Sequence, residues 1–196
     1  SIDKADDKKV FLQVSSLNQK KGHEFTIKAF ARFISKNKKY INSKLIITGD
    51  GPKKAMLIKL ATELSIIQNL EFTGFVDSYE ARNLMNKADF FVHHSVTASN
   101  GDQEGIPTSI MEAMSMELPI LSSFHSGIPE LVDTNHNGIL VDEKDIDAYV
   151  KAMEDIVNIP KKMINRKKIV EKFDLKIHNK NLEEIYFKII RNEKSN

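Results

Sequence analysis

Glu104 and Glu112 bracket the segment Gly105-Ile106-Pro107-Thr108-Ser109-Ile110-Met111, placing two carboxylates either side of a proline-initiated helix start. Pro107 suits the first helical turn, where its missing N–H is no loss, and the free amides just after it form a ready site for an anion. Gly105 lets a ligand approach the backbone closely. Glu104 falls in the loop before the helix, and Glu112 lies about a turn and a half inside it. Carboxylates accept hydrogen bonds from paired hydroxyls, as on a sugar or a ribose, while a helix start takes phosphates between them. The arrangement matches what a nucleotide sugar requires; a capped helix carrying two surface glutamates fits the same nine residues.

Those groups must be positioned by the rest of the chain, in which short apolar runs alternate with amphipathic stretches. Strands are expected at 10–15, 45–48, 70–73, 89–93, 119–122 and 138–141. Helices are expected at 24–37, with Ile27, Phe30 and Ile34 at core spacing, then at 53–64, 79–87, 107–116, a short turn at 129–132, and 145–157. The fold class is therefore α/β, a Rossmann-like doubly wound parallel sheet of about six strands with helices on both faces. In such sheets ligands bind beyond the carboxyl ends of the strands, at the switch point. The loops that follow strands are 15–22, Gly49-Asp50-Gly51-Pro52, Gly74-Phe75-Val76 and 95–106, all on one expected face. The first lacks Gly-x-Gly-x-x-Gly, which disfavours a dinucleotide dehydrogenase; the second lacks the Lys-Ser/Thr pair of a P-loop and reads as a tight turn.

Composition narrows the classes further. The 196 residues fit one ordinary domain, and the 41% hydrophobic and 29% charged fractions are those of a soluble globular protein. No apolar run approaches the roughly eighteen residues of a membrane span. Absence of Cys excludes disulfides and thiolate metal sites and is compatible with a reducing cytoplasm. With 29 basic against 27 acidic residues the net charge is +2, so no global field marks a nucleic-acid binder. Lys161, Lys162, Arg166, Lys167, Lys168 and Lys172 concentrate after Pro160. Such a segment can rest against an anionic membrane surface, but without an apolar insertion face a solvated helix face is the preferred reading. The start at Ser1, directly before a strand-like segment and without a signal-peptide pattern, reads as an excised domain or a trimmed tag.

A series of blocks then falls in a recognisable order: Val14-Ser15-Ser16-Leu17 with Lys21-Gly22, Ile47-Thr48-Gly49-Asp50-Gly51-Pro52, Phe72-Thr73-Gly74-Phe75-Val76, Ala88-Asp89, the 104–112 block running into Ala113-Met114, Leu118-Pro119-Ile120, Gly127-Ile128-Pro129-Glu130 and Asn137-Gly138. Together they resemble the C-terminal, donor-binding half of retaining glycosyltransferases of the GT-B fold, family 4. Residues 95–105 look particularly like enzymes that build exopolysaccharide of the colanic-acid or amylovoran type. The resemblance implies a nucleotide-sugar-binding domain at 1–173 and a crossing helix at 174–196, whose stripe Leu182, Ile185, Tyr186 and Ile189 would meet a partner surface. It makes Glu104 the acceptor for donor-sugar hydroxyls, Glu112 the partner of the ribose hydroxyls, and Lys21 the cation that neutralises the diphosphate. Glu104 and Lys21 are thus the implied catalytic groups. The amides around Ile106, Thr108 and Ser109 would hold sugar and phosphates, with Gly105 and Pro107 shaping the turn and the Phe75-Val76 backbone near the base. The implied donor is a UDP-hexose, the acceptor a saccharide or a lipid-linked saccharide, and the setting the cytoplasm, at the inner face of the membrane if the basic segment is used. No cofactor and no metal are expected, on the reading that the chain contains no Asp-x-Asp motif to hold one.

Two departures qualify that picture. The family usually carries Arg five positions before the lysine, where this chain has Ser16, so half of the cationic clamp is missing unless Lys20 supplies it. A GT-B enzyme also needs an N-terminal acceptor domain, and no residue here fills that role. The chain alone is therefore expected to be half an active site, inactive in transfer. A GT-B-shaped nucleotide-sugar epimerase, a phosphorylase and a non-catalytic nucleotide-sugar binding module remain the other readings. Among the histidines, one of His93 and His94 is expected packed and the other exposed, with His125 a hydrogen-bonding spectator. Met111, Met114 and Met116 read as core filler.

Overall fold

The computed structural model describes residues 7–134, 136–160 and 163–193; Lys161 and Lys162 of the basic segment lie outside them. Strands β1 (Val10–Val14), β2 (Lys44–Thr48), β3 (Leu70–Gly74), β4 (Phe90–His93), β5 (Ile120–Ser123) and β6 (Gly138–Val141) form one sheet in the order β3-β2-β1-β4-β5-β6. Every neighbouring pair is parallel. Helices α1 (His23–Lys36), α2 (Lys54–Glu63), α3 (Ser78–Lys87), α4 (Thr108–Ser115), the short α5 (Ile128–Leu131) and α6 (Ile146–Ile156) connect the strands and cover both faces. Two further helices follow, α7 (Met163–Lys172) and α8 (Leu175–Glu193).

The strand sequences are apolar on consecutive positions because both faces are covered, and the side-chain period of two divides them cleanly. Phe11, Leu45, Ile47, Phe90, Val92 and Leu121 join a cluster with Phe30 and Phe33 of α1, Leu57 of α2 and Tyr149 and Met153 of α6. Their neighbours Leu12, Ile46, Phe91, Ile120 and Leu140 point the other way, to Met85 of α3, Ile110 and Met114 of α4 and Leu131 of α5. Phe11 sits edge-on to Phe30 and Phe33 at 5.7 and 5.6 Å between ring centroids, and is fully buried. Truncating such a residue to Ala typically costs about 3–5 kcal/mol, so this contact fixes α1 and the loop before it.

Chain order reverses between β1 and β4, and the loops after those strands open at one end of the sheet. The expected elements recur with ends shifted by a residue or two. One shift matters: Pro107 has ψ 120°, an extended value, so it precedes the helix as its cap and the first helical residue is Thr108. The proline therefore stands outside the first turn rather than in it. In α8 the stripe Leu182, Ile185, Tyr186 and Ile189 is exposed, as are Phe187 and Ile190.

Candidate functional site

The loop after β1 is held from below. Leu17 is fully buried and its amide donates to the Asp50 carbonyl, while the buried Gln13 side chain donates to the Lys21 carbonyl at 2.9 Å. Gly22 closes this loop with φ 57°, and a Cβ there would lie 1.8 Å from the His94 carbonyl oxygen. Only glycine fits that approach, and through it Lys21 is carried to the switch point. Its Nζ lies 2.8 Å from Glu104 Oε2, and both side chains are largely buried. Lys20 is engaged separately, 3.1 Å from Asp102 Oδ1 and 3.9 Å from Glu104 Oε1. Glu104 Oε1 has no hydrogen-bond partner.

Val14, Ser15, Lys21, Glu104, Ile106, Pro107, Thr108, Ser109 and Glu112 line one cavity of about 390 Å³. No side chain caps the start of α4, so the amides of Thr108 and Ser109 are left for whatever occupies that cavity, while the Ile110 amide already donates to the Pro107 carbonyl. Glu112 also borders a second cavity of about 480 Å³, walled by Val14, Val76, Ala81, Arg82, Met85 and Met116. Ser16, Phe75 and Val76 line a third, of about 290 Å³, together with Thr48 and Asp50. All three share Val14 at the end of β1, and so form one trough across the switch point. Gly105 is exposed beside it, and a Cβ there would meet nothing within 4 Å; the fold itself does not require glycine at this position. Partial burial pushes the Glu112 carboxyl above its usual pKa.

The glycosyl transferases group 1 family profile matches residues 1–173. The chain belongs to that family. It is 31% identical over 177 residues to the putative colanic acid biosynthesis glycosyltransferase WcaL of Salmonella typhimurium, covering 87% of this chain and 43% of that protein. It is 32% identical over 179 residues to the amylovoran biosynthesis glycosyltransferase AmsK of Erwinia amylovora, covering 89% and 43%. This group 1 chain thus spans less than half the length of those relatives. Its fold is that of GT-B glycosyltransferases, as in Anabaena Alr3699/HepE in complex with UDP-glucose, with TM-score 0.77 and 22% identity over 93% of this chain and 49% of that one.

The end of β4 corrects one expectation. Both His93 and His94 are fully buried, because β4 is central and His94 is packed by the Tyr149 ring at 4.5 Å and the Phe25 ring at 5.4 Å, with its Nε2 accepting from the Lys144 amide. Burial, with Lys21 nearby, drives His93 well below its ordinary pKa; burial takes His94 to about 4 and His23 to about 3. The cation Lys21 therefore stands over neutral imidazoles. A second correction concerns Asp145-Ile146-Asp147, which does have Asp-x-Asp spacing. Asp145 is occupied in capping α6 through the Ala148 amide, and Asp147 pairs with Arg32 at 2.6 Å. Among the described residues no group of three His, Cys, Asp or Glu side chains is placed to hold a metal ion.

Sequence reasoning did not find Arg82, Thr97 or Glu143; His125 is hydrogen-bonded, as expected of it. His125 Nε2 accepts from the Glu104 amide at 3.0 Å, and its Nδ1 meets Glu143 Oε1 at 2.5 Å. Sequence separation hid these contacts; only the loop order after β4, β5 and β6 pointed to them. The basic segment is partly neutralised within its own surface, Lys168 by Asp133 at 3.0 Å and Lys167 by Glu171 at 3.7 Å. No described helix is long and apolar enough to cross a membrane.

Proposed function

We propose that this chain is the donor-binding domain of a retaining, family 4 glycosyltransferase that moves a hexose from a UDP-sugar to a saccharide or lipid-linked acceptor in exopolysaccharide assembly. The observation that carries the reading is the gathering of Lys21, Glu104, the uncapped start of α4 and Glu112 along one cavity wall. In this reading the diphosphate lies against the Thr108 and Ser109 amides and draws Lys21 toward it, while the free Oε1 of Glu104 accepts a sugar hydroxyl. Glu112, at the junction with the apolar cavity, takes the ribose hydroxyls, and the base rests by Phe75 and Val76. As the sugar departs, charge builds on the nucleoside diphosphate, and the Lys21 cation and the helix start stabilise it without a metal. The acceptor and its share of catalytic groups belong to an N-terminal domain, against which the exposed stripe of α8 packs. The cytoplasm is the proposed setting.

The test is calorimetric titration of residues 1–196 with UDP and UDP-glucose, with and without EDTA, alongside a transfer assay. Binding that survives the chelator, without transfer, is the expected result. Sugar transfer by this chain alone would refute the half-site reading, and affinity abolished by EDTA would refute metal independence.

A further inference from the structure

Three strand ends are tied together beside Glu104 by one polar chain. Glu143, just past β6, accepts through Oε2 from the Thr97 amide at 2.8 Å and through Oε1 from the Thr97 hydroxyl at 3.3 Å, which fixes the loop after β4. The same Oε1 meets Nδ1 of His125, in the loop after β5, and His125 Nε2 accepts the Glu104 amide. These partners settle the tautomer. Nε2 accepts an N–H, so it carries a lone pair, and the ring proton sits on Nδ1, donated to Glu143. The His125 side chain is almost wholly buried and that of Glu143 about a quarter exposed, so the chain is shielded from water. Although burial works against it, the His125 and Thr97 hydrogen bonds hold the Glu143 carboxyl below its usual pKa, so it stays an ionised acceptor. Both carboxylate oxygens are used, and neither ring nitrogen of His125 is idle.

We propose that Glu143, acting through His125, is a positioning residue that sets the Glu104 backbone and so aims the Glu104 carboxylate at the donor sugar. This rests on the proposed role of Glu104. Without the link, the polar contacts that residues 102–104 make outside their own loop run through Lys20 and Lys21, both of which a diphosphate competes for. Held by His125, Glu104 stays in place when Lys21 swings to the phosphates. Discrimination of the sugar is thereby separated from binding of the nucleotide.

The test uses the 196-residue chain and the variants Glu104→Ala, Glu143→Ala, His125→Ala and His125→Gln. Amide exchange at Glu104 is followed by NMR, and affinities for UDP and UDP-glucose by calorimetry. Glu143→Ala and His125→Ala are expected to speed exchange of the Glu104 amide and, with UDP affinity held within twofold, to shift the UDP-glucose to UDP affinity ratio about fivefold in the direction of Glu104→Ala. His125→Gln restores the ratio, because an amide carries an acceptor and a donor side by side as the neutral imidazole does. Unchanged Glu104 exchange in a folded Glu143→Ala variant overturns the positioning role, as does an unchanged ratio where Glu104→Ala alters it. If Glu104→Ala itself leaves the ratio unchanged, the donor reading fails and takes this inference with it. If the alanine variants unfold, His125→Gln decides: a folded chain with Glu104 exchange or ratio displaced as far as in Glu104→Ala overturns the proposal.

Discussion

The starts of α3 and α4 border the same trough and are finished in opposite ways. At α3, Asp77 accepts the Glu80 amide and Glu80 reaches back toward the Asp77 amide, a complete capping box. At α4 the cap position is Pro107, which has no side-chain acceptor to offer, and the amides that follow stay open. A good cap is worth about 1 kcal/mol, so α4 forgoes stability that α3 keeps. The open end shares a cavity with Lys21; the sealed end walls the apolar cavity with Ala81 and Met85. Free amides at a helix start favour an anion, and the first start offers them while the second has spent one on its cap.

Acid gives the largest expected effect, and it acts through the buried histidines of β4, its following loop and α1 rather than at either helix start. His23 and His94 titrate in the folded chain at about 3 and 4, against 6.5 in the open, and His93 is likewise depressed. Below pH 6.5 the unfolded chain takes up protons that the folded chain refuses, so stability falls with pH from 6.5 to about 4 and is flat above. Each such imidazole costs about 1.4 kcal/mol per pH unit, and three together roughly 4. Glu112 runs the other way, since its raised carboxyl gains a proton more readily when folded, and offsets a part. Urea midpoints measured from pH 7.5 to 4.5 should drop steeply; a flat profile would show that these histidines are solvated or protonated in the fold.

The two helix starts also divide binding from stability. Glu112→Ala should weaken UDP binding by about 1.5–3 kcal/mol, the range for hydrogen bonds to a charged group, and leave the thermal midpoint nearly unchanged. Asp77→Ala should do the reverse, costing about 1 kcal/mol of stability with UDP affinity within twofold. Pro107→Ser breaks the contrast directly, because its hydroxyl can cap α4: UDP affinity should fall by about 1 kcal/mol as the hydroxyl takes an amide from the phosphates. Unchanged affinity in Pro107→Ser would show that the phosphates do not use those amides.

Much of this was legible in the sequence, for reasons that differ by element. The six strands stand out because doubly covered strands are runs such as Phe11-Leu12 and Leu45-Ile46-Ile47, bounded by turn residues. Helix α7 received no bounds because its anchor is polar: the buried Asn165 donates to the Leu118 and Asn137 carbonyls, which no hydrophobic period reveals. Lys21, Glu104 and Glu112 could be named from motif order, and they do meet in one cavity. That Lys21 and Glu104 pair with each other, and that Glu143 reaches Glu104 through His125, depends on where β4, β5 and β6 end in space. Spacing along the chain carries no such information.

The smallest expected effect is at Ser16, where the chain leaves its family's pattern. Ser16 Oγ accepts from Asn18, and the residue lines the cavity of Phe75 and Val76 rather than that of Lys21. Asp50 borders the same cavity, and its carboxylate already holds Lys54 at 3.0 Å and the Gly51 amide at 2.7 Å, so an arginine placed there has an acidic alternative. Ser16→Arg should still tighten UDP binding, because a guanidinium on a long side chain adds a cation that bonds two oxygens at once. A partly exposed charge-assisted contact is worth on the order of 1 kcal/mol, a gain of about fivefold that shrinks with added salt. Lys21→Ala should move affinity the other way by at least as much, and Lys20→Ala by less, since Lys20 is held by Asp102. If Lys20→Ala weakens binding strongly while Ser16→Arg changes nothing, Lys20 releases Asp102 to complete the clamp. Should none of the three matter, the phosphates do not lie at the open start of α4, and the contrast between the two helix starts has no bearing on the ligand.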